Sequence, residues 1–207
     1  MDNKKITQKS YSAIAEQYYE VYNDDQTDLS YIDEFLEKCH SKILDLGCGI
    51  GQYSRYMKNK GFQVCGVDFA QEMLKLANLK DNSINYIEAD ICDLPENMDK
   101  DFDGVLIAFV IQHLSKKETQ KVLEDLHKYT TKECNLLIFF RSGERTVKEC
   151  EPFNPEFEYT IKEYTKSEIS DLLDECGYEV LKIEEKPQTE DEYSLCPTTM
   201  VLYAKKK

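Results

Sequence analysis

The stretch Ser41-Lys42-Ile43-Leu44-Asp45-Leu46-Gly47-Cys48-Gly49-Ile50-Gly51-Gln52-Tyr53-Ser54 constrains this chain more than any other. A short apolar run ends in three glycines at alternate positions. Behind them Tyr53, Tyr56 and Met57 open an apolar stripe at helical spacing, so the pattern reads strand, tight turn, helix. Glycine serves where φ must be positive or where a Cβ would block the approach of backbone to a ligand, and three in five residues exceed what a plain connection needs. Gly-rich turns in this setting cradle nucleotide-like ligands.

The spacing narrows the ligand. In the dinucleotide fingerprint Gly-x-Gly-x-x-Gly a pyrophosphate sits on the helix N-terminus, whereas here the third glycine falls one residue early, at Gly51, and Gln52 holds the expected place. Asp45, an acid inside the apolar strand, repels a pyrophosphate but suits a ligand carrying an ammonium and a sulfonium. Residue for residue, the stretch resembles motif I of the class I S-adenosylmethionine-dependent methyltransferases: acidic residue, x, Gly-x-Gly-x-Gly. The resemblance implies a Rossmann-like α/β fold, a doubly wound, mostly parallel seven-stranded sheet with an antiparallel last strand and helices on both faces. It also implies S-adenosylmethionine as cofactor, held at Asp45, Gly47, Cys48, Gly49 and Gly51 and released as S-adenosylhomocysteine.

A length of 207 residues fits one domain, 1–207, able to bury a core without disulfides or metal. Cys39, Cys48, Cys65, Cys92, Cys134, Cys150, Cys176 and Cys196 form no C-x-x-C pair and no zinc spacing, so they read as reduced thiols of a cytoplasmic protein with no metal site. The first residues lack an apolar core, and no run approaches the roughly 18 apolar residues of a membrane span. A net charge of -14, with 26 Lys and Arg against 40 Asp and Glu, opposes a phosphate backbone as partner. The expected partner is a small-molecule methyl acceptor, met by a monomer or a homodimer.

Tyr11, Ile14, Ala15, Tyr18, Tyr19 and Tyr22 are spaced three and four apart, which predicts one helix with an aromatic face over 11–22. Its tyrosines suit either a core or the wet wall of a pocket. The segment Tyr11-Ser12-Ala13-Ile14-Ala15-Glu16-Gln17-Tyr18 is similar to the amino-terminal helix of small-molecule methyltransferases, and the resemblance makes 1–40 a helical cap with Tyr11 and Tyr18 over the cofactor. A second helix is predicted from Leu29 to Cys39 with Asp28 as N-cap.

The run from Phe62 to Asp68 reads as the next strand, and an acid at its end is where a ribose diol is held, since a carboxylate accepts from two adjacent hydroxyls. Phe69 and Met73 follow as candidates for the adenine faces or for packing. The third strand, Ile84 to Ile91, ends in Asp90. By resemblance Asp90 takes the adenine amino group and the Ile91 N–H a ring nitrogen; otherwise Asp90 caps a turn. The apolar run Phe102 to Val110 reads as a central strand, with Phe109, Val110, Gln112 and His113 at its ligand end. His113 is a candidate general base or a structural cap.

A helix from Glu118 to Tyr129 leads to a strand from Asn135 to Phe140, with Arg141 at its end either clamping an acceptor's acid group or neutralising nearby acids. The segment 142–165, with five glutamates before Tyr159, reads as an inserted lid. Thr165-Lys166-Ser167-Glu168 opens a helix that Gly177 stops, and two strands joined by an acidic loop end the chain.

The reaction implied by the resemblance is in-line displacement at the sulfonium methyl of S-adenosylmethionine by a nitrogen, oxygen, sulfur or carbon nucleophile; a nitrogen or oxygen of a small polar metabolite is the expected acceptor, with Tyr11, His113 and Arg141 as the candidate catalytic residues. Holding the reactants in line supplies up to ~10 kcal/mol without metal or covalent intermediate. An acidic lid and tyrosine face would draw an amine acceptor as its cation, while only the neutral amine attacks. Two further classes fit parts of the sequence: a non-catalytic cofactor-binding regulator, and a nucleotide-dependent oxidoreductase, the latter opposed by the glycine spacing and Asp45.

Overall fold

A computed structural model describes residues 3–186 and 198–207. Cys196 and most of the acidic loop expected before the last strand lie outside the described residues. The strand that leads into the glycine turn is β1, Lys42–Leu46. It pairs in parallel with β2, Gln63–Asp68, on one side and with β4, Phe102–Ala108, on the other. Outward from β2 lies β3, Asn85–Glu88, and outward from β4 lies β5, Thr130–Arg141. A hairpin of β6, Thr146–Cys150, and β7, Glu158–Lys162, forms a separate two-stranded sheet. The chain then adds β8, Tyr178–Lys186, and β9, Thr199–Lys206, to the main sheet, whose order is β3-β2-β1-β4-β5-β9-β8. The final strand, β9, runs antiparallel to both β5 and β8, as expected. The order reverses between β1 and β4, and a doubly wound sheet binds its ligands at the carboxyl ends of strands flanking such a switch.

Near-continuous apolarity in β4 follows from cover on both faces. Val105 and Ile107 pack with Leu136 and Ile138 of β5 on one face, under Leu123 and Leu126 of α6, Lys116–Leu126, and Leu172 and Leu173 of α7, Lys166–Glu175. Leu106 packs with Leu137 and Phe139 on the other, under Ile32 and Phe35 of a helix over Leu29–Leu36 and Met57 of the helix that follows the glycine turn, Gln52–Asn59. Alternate residues thus feed two cores, which fixes the register: a slip of one residue would exchange them.

The aromatic segment departs from one continuous helix. It forms α1, Asn3–Ala13, and α2, Ala15–Tyr22, broken at Ile14 with φ -101° and ψ 4°. Ile14 is buried against Ala15, Ile50, Ala70 and Met73, and the break turns it into that cluster. The helices α3, Leu29–Leu36, α4, Gln52–Asn59, and α5, Gln71–Lys80, follow. Asp28 occupies the N-cap position of α3 but makes no cap bond. Its buried carboxylate accepts from the Tyr53 hydroxyl at 2.6 Å and pairs with Lys186, because a cation and a phenol satisfy a buried charge better than one helix N–H. Capping boxes form at Ser115 and Glu118 for α6 and at Thr165 and Glu168 for α7. Among the described residues, no helix is long and apolar enough to cross a membrane.

Candidate functional site

The three glycines of the turn all have positive φ, Gly47 at 73°, Gly49 at 51° and Gly51 at 71°. They serve different ends. A Cβ on Gly47 would stand 2.2 Å from a methyl of Val110, and one on Gly51 would stand 2.4 Å from the Tyr86 hydroxyl. A Cβ on Gly49 would meet nothing within 4 Å, because Gly49 faces an open cleft. Asp68 props this turn: its Oδ2 accepts from the Gly49 N–H at 2.9 Å and its Oδ1 from the Ala70 N–H at 2.8 Å. Burial pushes the Asp68 carboxyl above the usual carboxylate range, and these N–H groups oppose the shift.

The cleft and its open mouth together span about 760 Å³ of empty space. Gly47, Gly49 and Asp68 form its floor, and Phe69, Met73, Asp90 and Ile91 line it along α5 and the end of β3. Tyr11, Tyr18, Phe109 and His113 complete the wall toward the amino-terminal helices. Phe109 directly follows β4 with φ 60°, a left-handed conformation that is strained for an aromatic residue, and its ring stacks on Phe139 at 5.6 Å.

Four expected site residues lie elsewhere. Asp45 is buried beneath the turn, where Oδ2 accepts from the Ser54 hydroxyl at 2.6 Å; burial pushes its carboxyl up to about 7. Gly51 packs under Tyr86, and the Cys48 thiol is buried behind the turn, where burial raises it well above its ordinary value. Arg141 is also buried outside the cleft wall. Its Nε donates to Glu163 at 3.0 Å and its Nη1 to Glu149 at 2.6 Å.

His113 sits at the cleft end of a single 3-10 turn after β4. Its Nε2 lies 3.1 Å from the Tyr11 hydroxyl, while Nδ1 is buried with no hydrogen-bond partner among the described residues. Burial lowers the imidazole to about 4, so it is neutral at ordinary pH. Tyr11 and Tyr159 stand edge-on to the ring at 5.5 and 5.3 Å.

The sequence reading missed Lys4 and Thr7 of α1, and Ala108 and Leu114, which also line the cleft. Lys4 donates to Oδ2 of Asp90 at 2.8 Å and pairs with Glu118 at 3.3 Å. Burial alone would raise the Asp90 carboxyl; Lys4 and the Cys92 N–H outweigh it and hold the group below its ordinary value. Farther along α1, Gln8 donates to the Phe69 carbonyl at 2.7 Å. Asn3 ties the helix to the hairpin, accepting from the Thr160 N–H at 2.7 Å and donating to the Thr160 carbonyl at 3.3 Å. A run of polar residues at helical spacing was the available signal, and an apolar-stripe reading passes over it.

Residues 43–133 match the family described as a methyltransferase domain. An uncharacterised methyltransferase of Alkaliphilus oremlandii is 24% identical over 166 residues, 76% of this chain and 76% of that protein. A demethylmenaquinone methyltransferase of Thermus thermophilus is 36% identical over 103 residues, 47% of this chain and 46% of its own length. Among solved structures, magnesium protoporphyrin IX methyltransferase from Synechocystis PCC 6803 with bound SAM superposes with a TM-score of 0.76 at 16% identity, covering 100% of this chain and 98% of that one. The 1,6-didemethyltoxoflavin-N1-methyltransferase of Burkholderia thailandensis, solved with bound 1,6-didemethyltoxoflavin and S-adenosylhomocysteine, gives a TM-score of 0.75 at 18% identity over 99% of this chain and 88% of that one. Together with the sheet order and the glycine turn, these likenesses give residues 43–133, a little under half of the chain, a match to a methyltransferase domain, and give the whole chain the Rossmann-like fold of the solved structures.

Proposed function

We propose that the chain binds S-adenosylmethionine across the tips of β1, β2 and β3 and methylates the nitrogen or oxygen of a small polar metabolite, as a cytoplasmic monomer or homodimer. Gly49 carries this reading. Its missing side chain leaves an open cradle in the cleft floor, and the carboxylate that holds its N–H keeps lone pairs for two ribose hydroxyls. Phe69, Met73 and Ile91 supply apolar faces for a base, Asp90 an acceptor for its amino group, and Tyr11, Tyr18 and Phe109 the wall beside the amino-acid end. Asp45, Cys48 and Gly51 act from beneath by fixing the turn.

When bound, the cofactor supplies a methyl group on a positively charged sulfur, already activated for displacement. The protein's task is then to orient the acceptor and exclude water. Residues 1–40 serve as the cap and 142–165 as the acceptor lid of one domain, with Arg141 fixing the lid rather than touching the acceptor. The Tyr11 and His113 pair offers a phenol and a neutral imidazole at the acceptor end.

Calorimetry with S-adenosylhomocysteine tests this reading. Binding is expected, and Asp68→Ala is expected to weaken it by about 1 to 3 kcal/mol, the cost of losing two hydrogen bonds to a charged group. No heat with the wild-type protein, or binding of NADH in its place, would overturn the proposal.

A further inference from the structure

Glu151 lies in the loop between β6 and β7 and is 3% exposed. Its Oε2 accepts from the Tyr159 hydroxyl at 2.7 Å and its Oε1 from the Phe153 N–H at 3.3 Å. No lysine or arginine among the described residues pairs with it, unlike the buried Glu163, which holds Arg141 and Arg145. A buried carboxylate satisfied only by neutral donors costs stability, and the fold gains nothing from keeping it charged.

Its surroundings point it at the cleft. Phe153 packs edge-on to Tyr18 at 6.5 Å and to Tyr22 at 6.2 Å, and Tyr159 stands against His113. Tyr18 in turn meets Tyr22 at 4.5 Å and Tyr11 at 6.2 Å, and Tyr11 meets His113. These contacts form a chain of rings from Phe153 through Tyr18, Tyr11 and His113 to Tyr159, and Glu151 joins its two ends behind the cleft wall by accepting from the Phe153 N–H and the Tyr159 hydroxyl. Burial, and after it the nearby acids led by Glu151, raises the Tyr18 phenol above its ordinary value.

Two positive groups are already engaged. Lys4, which lines the cleft, is paired with Asp90 and Glu118, and Arg141 is paired with Glu149 and Glu163 outside it. An acceptor bearing a carboxylate or phosphate would find Lys4 and Arg141 already paired with acids and would be repelled by Glu151. A neutral alcohol would leave Glu151 uncompensated. An ammonium would gain ring faces, the Glu151 field and the unpartnered Nδ1 of His113 as neighbour.

We propose, resting on the function proposed above, that the acceptor is an amine, recognised as its ammonium by the tyrosine wall and the buried Glu151 carboxylate. The bound ammonium gives one proton to solvent, and its nitrogen lone pair then forms the C–N bond as the C–S bond breaks. Sulfur leaves as a neutral thioether, and the methylated ammonium keeps one positive charge in the cage.

The test uses n-butylammonium, butan-1-ol and butyrate, three probes of one size, titrated by calorimetry into the full chain at pH 7 with and without S-adenosylhomocysteine. The cation is expected to bind at least tenfold tighter than either of the others. Glu151→Gln, which keeps an acceptor for the Tyr159 hydroxyl, is expected to abolish that ranking, and Glu151→Asp to retain it. Equal binding of the three, binding of none, a preference for butyrate, or an unchanged ranking in Glu151→Gln overturns the proposal. Should either variant fail to fold, the wild-type ranking still decides. A cation preference without any binding of S-adenosylhomocysteine would uphold the cage while removing the cofactor reading.

Discussion

The ammonium of Lys4 lies 2.8 Å from Oδ2 of Asp90, so a single ion pair joins the amino-terminal helix to the tip of the third strand across the mouth of the cleft. Burial pulls the Lys4 ammonium down, but Asp90 and Glu118 outweigh it and leave the group raised, while Asp90 is held below 3.8. Both ends are partly solvated, so the pair is worth about 0.5 to 1 kcal/mol. Lys4→Met should lose that amount in urea denaturation at pH 7. A depressed carboxylate stabilises above its unfolded value, so the difference should shrink as pH falls below 3.8.

The glycine turn separates packing from binding. Gly47→Ala drives a methyl into Val110 in a left-handed conformation and should cost about 2 to 4 kcal/mol of stability. Gly49→Ala has the same backbone strain but open space, so it should cost only about 1 kcal/mol in stability. Its methyl would project into the cradle, and S-adenosylhomocysteine affinity should fall by about tenfold or more, equivalent to 1.4 kcal/mol. Equal effects of both variants in calorimetry and denaturation would contradict the separation.

Arg141 anchors the hairpin through Glu149 and Glu163, the latter 1% exposed on its side chain. Arg141→Met strands buried acid and should cost about 3 kcal/mol, whereas Arg145→Met, at an exposed side chain, should cost less than about 1 kcal/mol. Burial raises Glu163, but Arg145 and Arg141 outweigh it and lower the group below 4.5. Its stabilisation is therefore present above 4.5 and lost on acidification, and Arg141→Met should flatten that loss in chemical denaturation between pH 7 and pH 3.

His113 titrates near 4 instead of 6.5 because its ring is buried. An imidazole whose folded value is depressed stabilises fully above 6.5 and loses that contribution as pH falls toward 4. By linkage this amounts to about 1 to 3 kcal/mol. His113→Phe should be less sensitive across that window in denaturation, and a wild-type pH–rate profile should show no inflection at 6.5 arising from this residue.

Local chemistry was readable. Positive φ at Gly47, Gly49 and Gly51 follows from spacing, and Asp68 follows from its place at a strand end beside them. The capping box of α7 is written in four consecutive residues. Lys4 was not readable, because its partner Asp90 lies 86 residues away and polar anchoring leaves no apolar stripe. Arg141 declared a charge at a strand end, but its partners come from a hairpin whose pairing only the fold establishes. β5 begins five residues before its apolar run, at Thr130, because its first part is partly solvated and therefore polar.

The amide of Asn3 mimics a strand: it gives and takes one hydrogen bond with the backbone of Thr160, sealing part of the outer edge of β7 with a side chain. Lifting α1 to admit a ligand breaks both bonds together and bares a length of unpaired backbone, the kind of edge that recruits another chain. The open form is thus adhesive as well as costly, and crowded, ligand-starved samples should cluster through this edge sooner than saturated ones.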